Sequence, residues 1–151
     1  MSNRRGWTMI ELLVTMVVIG LLASIAVLKY IDLTRTAYAA KIVGEFTTIR
    51  LAAYNYEADH ANQWPTDQGP GIVPPEMIPY LPAAFSFTMP SYKLDWENLS
   101  PSTTPYQIAI SLTTTDQRLM NALAQSLGTK APYFFVNNRL TYIMIDENGN
   151  W

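Results

Sequence analysis

An apolar run from Trp7 to Leu28 (WTMIELLVTMVVIGLLASIAVL) dominates the hydrophobic pattern, and Glu11 is its one charge. At ~1.5 Å per residue this run makes a helix of about 33 Å. The hydrocarbon core of a bilayer is ~30 Å thick, so the pattern predicts a membrane-spanning helix. Arg4 and Arg5 precede the run, and Lys29 is the first charge after it. Basic residues beside a span stay on the cytoplasmic side. The expected topology is a single pass, with the N-terminus in the cytoplasm and everything from Lys29 onward outside it.

The helical pattern then changes character without stopping. From Tyr30 to Tyr56 there is no proline, and Gly44 is the single glycine. Apolar residues recur at Leu33, Ala37, Tyr38, Ile42, Phe46, Ile49, Ala53 and Tyr56. Spacings of three and four draw one stripe down a helix. Lys41, Glu45, Arg50 and Glu57 are expected to point away from it. The predicted element is one helix of about 50 residues, apolar all round in its first half and amphipathic in its second. It ends near Asp59 to Asn62. The stripe is suited to receive a sheet. A coiled-coil stalk is the alternative, disfavoured because strand-like segments follow.

Prolines and glycines fill Gln63 to Pro82, which excludes regular structure over most of that loop. Beyond it the pattern is mostly β with one helix. Ala84–Met89 and Tyr92–Trp96 are candidate strands joined around Pro90-Ser91, and Tyr106–Leu112 alternates as a strand should. Leu119, Met120, Leu123 and Leu127 have helical spacing within Asp116–Leu127, with Thr115 as expected N-cap and Gly128 as the stop. Tyr133–Val136 and Leu140–Ile145 flank Asn137-Asn138, a tight hairpin. The part beyond residue 60 is about 90 residues long, small enough to need the long helix to complete its core.

Composition removes several function classes. There are no cysteines, which excludes disulfides, iron–sulfur clusters and thiolate zinc sites. The formal net charge is −2, and no basic patch points to nucleic acid. His60 is the single histidine, so no Ser-His-Asp set can be assembled around a second one, and neither a phosphate-binding glycine loop nor a dinucleotide fingerprint is present. Asp95 and Glu97 flank Trp96 on a candidate strand, where nothing in the sequence suggests a tuned pKa. No catalytic residues are assigned, and the chain is read as a non-enzyme.

Glu11 carries the functional argument. A carboxylate in hydrocarbon costs several kcal/mol, roughly 3 on insertion scales. A simple anchor has no use for that cost, so a partner within the membrane is implied. With its flanks, RRG-WTMIELLVTMVVIGLLASIAVL resembles the N-terminus of a type IV pilin or a type II secretion pseudopilin. That family pattern is a short basic leader ending in Gly, then an aromatic residue, a glutamate and a hydrophobic helix. Trp7 stands where Phe is usual, and Thr8, Ile10, Glu11, Leu12, Gly20, Ala23 and Ala26 fall in register. Leu28 stands where many pilins have a helix-kinking proline. A second segment, Tyr56–Gln68 (YEADHANQWPTDQ), is similar to the stretch after the long helix in major pseudopilins, with Trp64-Pro65-Thr66 and Gln68-Gly69 in the matching places. Pro79-Tyr80-Leu81-Pro82 fits the segment preceding the sheet in that group.

The resemblance implies an α+β pilin-like fold, a long N-terminal helix packed against a small antiparallel sheet. The implied divisions are a leader at 1–6, a transmembrane and assembly half of the helix at 7–28, its amphipathic half at 29–60, and a globular head at 61–151. It further implies cleavage between Gly6 and Trp7 by a prepilin peptidase, N-methylation of Trp7, and pairing of Glu11 with the N-terminal amine of a neighbouring subunit. Loss of Arg4 and Arg5 with the leader moves the net charge from −2 to −4. The implied partners are other pilin or pseudopilin subunits, the peptidase and an inner-membrane assembly platform. The implied location is the inner membrane, followed by a periplasmic or extracellular filament. Pilus and secretion pseudopilus stay open. Many pilins close a C-terminal loop with a disulfide, which this chain lacks, and major pseudopilins often bind Ca²⁺ there. Asp146-Glu147-Asn148-Gly149-Asn150 offers oxygens for Ca²⁺, but its Gly is misplaced for an EF-hand loop, so no metal ligands or other cofactor are assigned. The alternative is a membrane-anchored or secreted binding module, either uncut or released after Ser24-Ile25-Ala26, a small-x-small sequence. Glu11 has no role in that alternative.

Overall fold

The computed structural model describes residues 6–99, 106–129 and 131–146. The order of elements is a long helix α1 (Met9–Asp59), a 3₁₀ turn (Pro75–Tyr80), β1 (Lys93–Asn98), β2 (Tyr106–Thr113), α2 (Gln117–Leu127), β3 (Tyr133–Val136) and β4 (Arg139–Asp146). The fold is α+β, and α1 has 51 residues, as the periodicity anticipates. Two compact units are distinguished, Met1–Arg35 and Thr36–Trp151.

In the first unit α1 is apolar on every side. Large side chains from Trp7 to Leu28 are exposed, and none of the most apolar window of the helix is buried within the chain. This helix is long and apolar enough to cross a membrane. Its hydroxyls are satisfied internally. Thr15 donates to the Leu12 carbonyl at 2.8 Å and Ser24 to the Leu21 carbonyl at 2.7 Å, which suits a segment where water cannot help.

In the second unit the four strands form one antiparallel sheet in the order β1-β2-β4-β3. Leu94 and Trp96 of β1, Ile108, Ile110 and Leu112 of β2, and Leu140 and Met144 of β4 share one core with Ala39, Ile42, Phe46, Ile49, Ala52 and Ala53 of α1. Leu119, Met120 and Leu123 of α2 join the same cluster. The small residues on α1 allow its backbone to approach closely while Ile42, Phe46 and Ile49 fill the space between.

Several sequence expectations need correction here. The buried stripe begins at Ala39, so Leu33, Ala37 and Tyr38 are exposed. Glu45 does not point away. It is buried, accepts a hydrogen bond from the Tyr92 hydroxyl at 2.6 Å and meets Lys41 at 3.3 Å, and paired in this way the charge can be tolerated inside. Ala84–Met89 is not a strand. Pro82 precedes it, Ala84 sits at φ 61°, and the Ser86 hydroxyl takes the Thr88 N–H at 3.1 Å, so only a single bridge, Thr88 to Lys93, survives. The N-cap of α2 is Asp116 rather than Thr115, because its carboxylate accepts from Arg118 N at 2.9 Å and Leu119 N at 3.1 Å. Gly128 closes α2 at φ 76°, as expected. The β3–β4 hairpin turns at Asn137, φ 55°. Residues 1–5 of the leader (1–6) and Glu147 to Asn150 of the oxygen-rich tail lie outside the described residues.

Candidate functional site

The first residues of α1 are held by one side chain. Helical structure begins at Met9, so Thr8 occupies the N-cap position and Glu11 the third helical position. The Thr8 N–H and the Thr8 hydroxyl donate to Glu11 Oε2 at 2.8 and 2.9 Å, and Glu11 N–H donates to Thr8 Oγ1 at 3.3 Å. This reciprocal arrangement is a capping box, which satisfies amide groups that the first turn otherwise leaves unpaired. The carboxylate also lies at the positive end of the helix dipole. Thr-x-x-Glu before an apolar run is the sequence signature of this motif, and it explains how Glu11 is oriented.

Gly6 and Trp7 precede the helix and carry no regular structure, and Trp7 is three-quarters exposed. The Gly6–Trp7 peptide is therefore outside the hydrogen-bonded ladder of α1. A β-carbon added at Gly6 would meet nothing within 4 Å. Of the residues singled out in the sequence, the structure brings together Thr8 and Glu11 and places Gly6 and Trp7 immediately before them. Glu11 is surrounded along α1 by exposed Ile10, Leu12, Leu13 and Val14, so its charge stands in an apolar surface.

The segment Trp64–Gly71 acts as a clasp on the sheet. The Pro65 carbonyl accepts from Trp96 Nε1 at 3.0 Å and from Asn98 Nδ2 at 2.9 Å. Gly69 N–H is held by Asp67 Oδ1 at 2.8 Å, and Gly71 N–H donates to the Leu94 carbonyl at 2.7 Å. Trp64 packs near Trp96 and edge-on to Tyr54. The loop thus covers the outer edge of β1.

The remaining candidates divide. His60 stacks on Tyr56 at 4.0 Å and its Nδ1 lies 2.9 Å from the Tyr56 carbonyl, a local contact at the end of α1. Among the described residues no three His, Cys, Asp or Glu side chains are grouped to hold a metal. Of Asp95 and Glu97, the first overturns the expectation that nothing on their strand tunes a pKa. Both are buried, and both bond Arg139, which stands 44 and 42 positions further on. Strand register creates that cluster, and no local sequence signal announces it.

Residues 1–27 match the family described as the prokaryotic N-terminal methylation motif. The chain is also similar to two fimbrial proteins of Pseudomonas aeruginosa, each 36% identical over 53 residues, a stretch that covers 35% of this chain and 34% of the relative. The chain thus spans about a third of the length of the curated relatives it matches. No solved structure matches. Motif and relatives agree with the type IV pilin resemblance carried by Gly6, Trp7 and Glu11, and the long helix with its four-stranded antiparallel sheet is consistent with a pilin fold.

Proposed function

We propose that the chain is a structural subunit of a type IV pilus-like filament or a type II secretion pseudopilus. A prepilin peptidase cuts it between Gly6 and Trp7, the new Trp7 amine is methylated, and the subunit polymerises through its N-terminal helix. The observation that carries this reading is a single carboxylate, Glu11, on the otherwise uncharged and exposed apolar stretch from Trp7 to Leu28. Thr8 supplies hydrogen bonds to that carboxylate but cannot neutralise it. A cation is still required for it to rest in lipid, and cleavage before Trp7 creates one as a free ammonium. Pairing the two charges between neighbouring subunits reduces both desolvation costs. The methylation motif at residues 1–27 supports the same chemistry. Because lipid tails are as apolar as these helices, the drive for assembly comes from close helix packing together with the charge pairing.

Other subunits, the peptidase and an inner-membrane platform are the partners this reading requires. The protein resides first in the inner membrane, with residues beyond Lys29 outside the cytoplasm, and then in a periplasmic or extracellular filament. No catalytic residue and no cofactor enters the reading.

The test is the intact mass and N-terminal sequence of the protein recovered from its native membrane. The expected chain starts at Trp7 and carries one added methyl group. A chain starting at Val27 would instead make it a secreted domain, and an uncut chain from Met1 a static anchor. Either result would remove the filament reading.

A further inference from the structure

On the second unit, the face of β1 away from Leu94 and Trp96 carries Asp95 and Glu97, which are only 3% and 5% exposed. In register, β1 pairs Asp95 with Ser111 of β2, and β2 pairs Ser111 with Thr141 of β4. Arg139 reaches back from the start of β4 across β2. Its Nη2 donates to Asp95 Oδ2 at 2.6 Å and to Glu97 Oε1 at 2.5 Å, and its Nε donates to Ser111 Oγ at 2.7 Å. Two buried carboxylates thus share one guanidinium, which leaves one negative charge in excess.

The two carboxylates are not equivalent. Glu97 has both oxygens engaged, Oε1 by Arg139 and Oε2 by the Tyr106 hydroxyl at 2.5 Å. Asp95 Oδ1 is buried without a hydrogen-bond partner. An anionic oxygen stranded in this way is costly, and a neutral carboxyl is less so. The remaining charged and titratable groups around Asp95 do not relieve the excess. Asp67, on the loop after α1, adds a like charge, while Lys93 on the same face of β1 is exposed. Burial and the neighbouring Glu97 raise the Tyr106 hydroxyl above its ordinary range, so it stays a donor.

We propose that Asp95, Glu97 and Arg139 form a proton-binding site that ties β1 to β4 across β2. With one proton on Asp95 the cluster is neutral. When that proton leaves to solvent, the sheet holds a buried negative charge with no counterpart. Burial pushes the Asp95 carboxyl up to about 7 from its ordinary value of 3.8, Arg139 opposing and Asp67 and Glu97 adding to the rise. The sign of the linkage follows. Between those two values the folded chain holds a proton that the unfolded chain has lost, so stability is full below the unfolded value and falls as pH rises through the folded one.

The test is a carboxyl ¹³C titration of the full chain in detergent micelles, labelled at aspartate. One aspartate resonance is expected to titrate near neutrality, to vanish in Asp95→Asn, and to move toward the ordinary range in Glu97→Gln, where the like charge is gone. Thermal unfolding should show a midpoint that falls between about pH 4 and about pH 7 in the native chain and stays level in Asp95→Asn. If every aspartate titrates in the ordinary acidic range, if the neutral titration persists in Asp95→Asn, or if it is unchanged in Glu97→Gln, the site shared by Asp95, Glu97 and Arg139 is overturned. Should Asp95→Asn fail to fold, the native titration and its response to Glu97→Gln decide the matter.

Discussion

Two hydrogen bonds from Thr8 orient the Glu11 carboxylate, and neither removes its charge. Capping and the proposed charge pairing are therefore separable at this residue. Thr8→Ala removes the hydroxyl and costs about 1 kcal/mol at the helix start. The rest of the span keeps its intrahelical bonds, so processing and filament yield should stay near the native level. Glu11→Ala removes the charge as well, and filament yield should fall by roughly tenfold or more, the consequence of losing about 1.4 kcal/mol or more of intersubunit pairing. Immunoblots of sheared filaments beside the processed band from whole cells measure both. Equal losses in the two variants would show that Glu11 serves only the cap. Glu11 is legible in the sequence as a charge inside an apolar run, while its capping box with Thr8, readable as Thr-x-x-Glu, is missed by that reasoning. Asp95 is not legible, because its burial depends on Arg139, and only strand register joins residues so far apart in the chain.

At the scale of elements, periodicity located α1, α2 and the β3–β4 hairpin, since each of these is set by local spacing and capping. It failed where local preference and tertiary contact disagree. Ala84–Met89 reads as a candidate strand, yet Ala84 at φ 61° and the Ser86 turn leave one bridge. Glu45 looked like a solvent-facing charge until Tyr92 supplied a partner 47 positions away. The clasp on β1 shows how a proline-rich loop gains order from outside itself. Gly71 lies at φ 86°, and a β-carbon there would come within 2.6 Å of Thr88 Oγ1. That hydroxyl donates to the Gly71 carbonyl at 3.0 Å. Gly71→Ala should therefore destabilise the second unit by roughly 1–3 kcal/mol, through backbone strain and displacement of Thr88. Urea unfolding followed by tryptophan fluorescence checks this, because Trp96 is fully buried and bonded to the same loop. A midpoint equal to that of the native chain would mean that the loop yields freely and is not a clasp.

At the scale of the whole molecule, α1 has two different environments along its length, and the hydrophobic cluster uses only one of them. Every residue of that cluster lies at Ala39 or beyond. The apolar surface from Trp7 to Leu28 contributes nothing to it and stays exposed. Removing that surface should then cost the fold little while abolishing self-association. A shortened chain starting at Lys29 is expected to be soluble without detergent and to unfold cooperatively, with a stability in the usual range of about 5–15 kcal/mol. It should sediment as a monomer, whereas the chain starting at Trp7 needs detergent or lipid and associates as detergent is withdrawn. Sedimentation velocity and urea unfolding read the two halves of this expectation independently. A shortened chain that unfolds without cooperativity would show that the span is part of the folding unit. One that folds but still forms filaments would move the assembly surface from the apolar helix to the second unit, and Glu11 would lose its role.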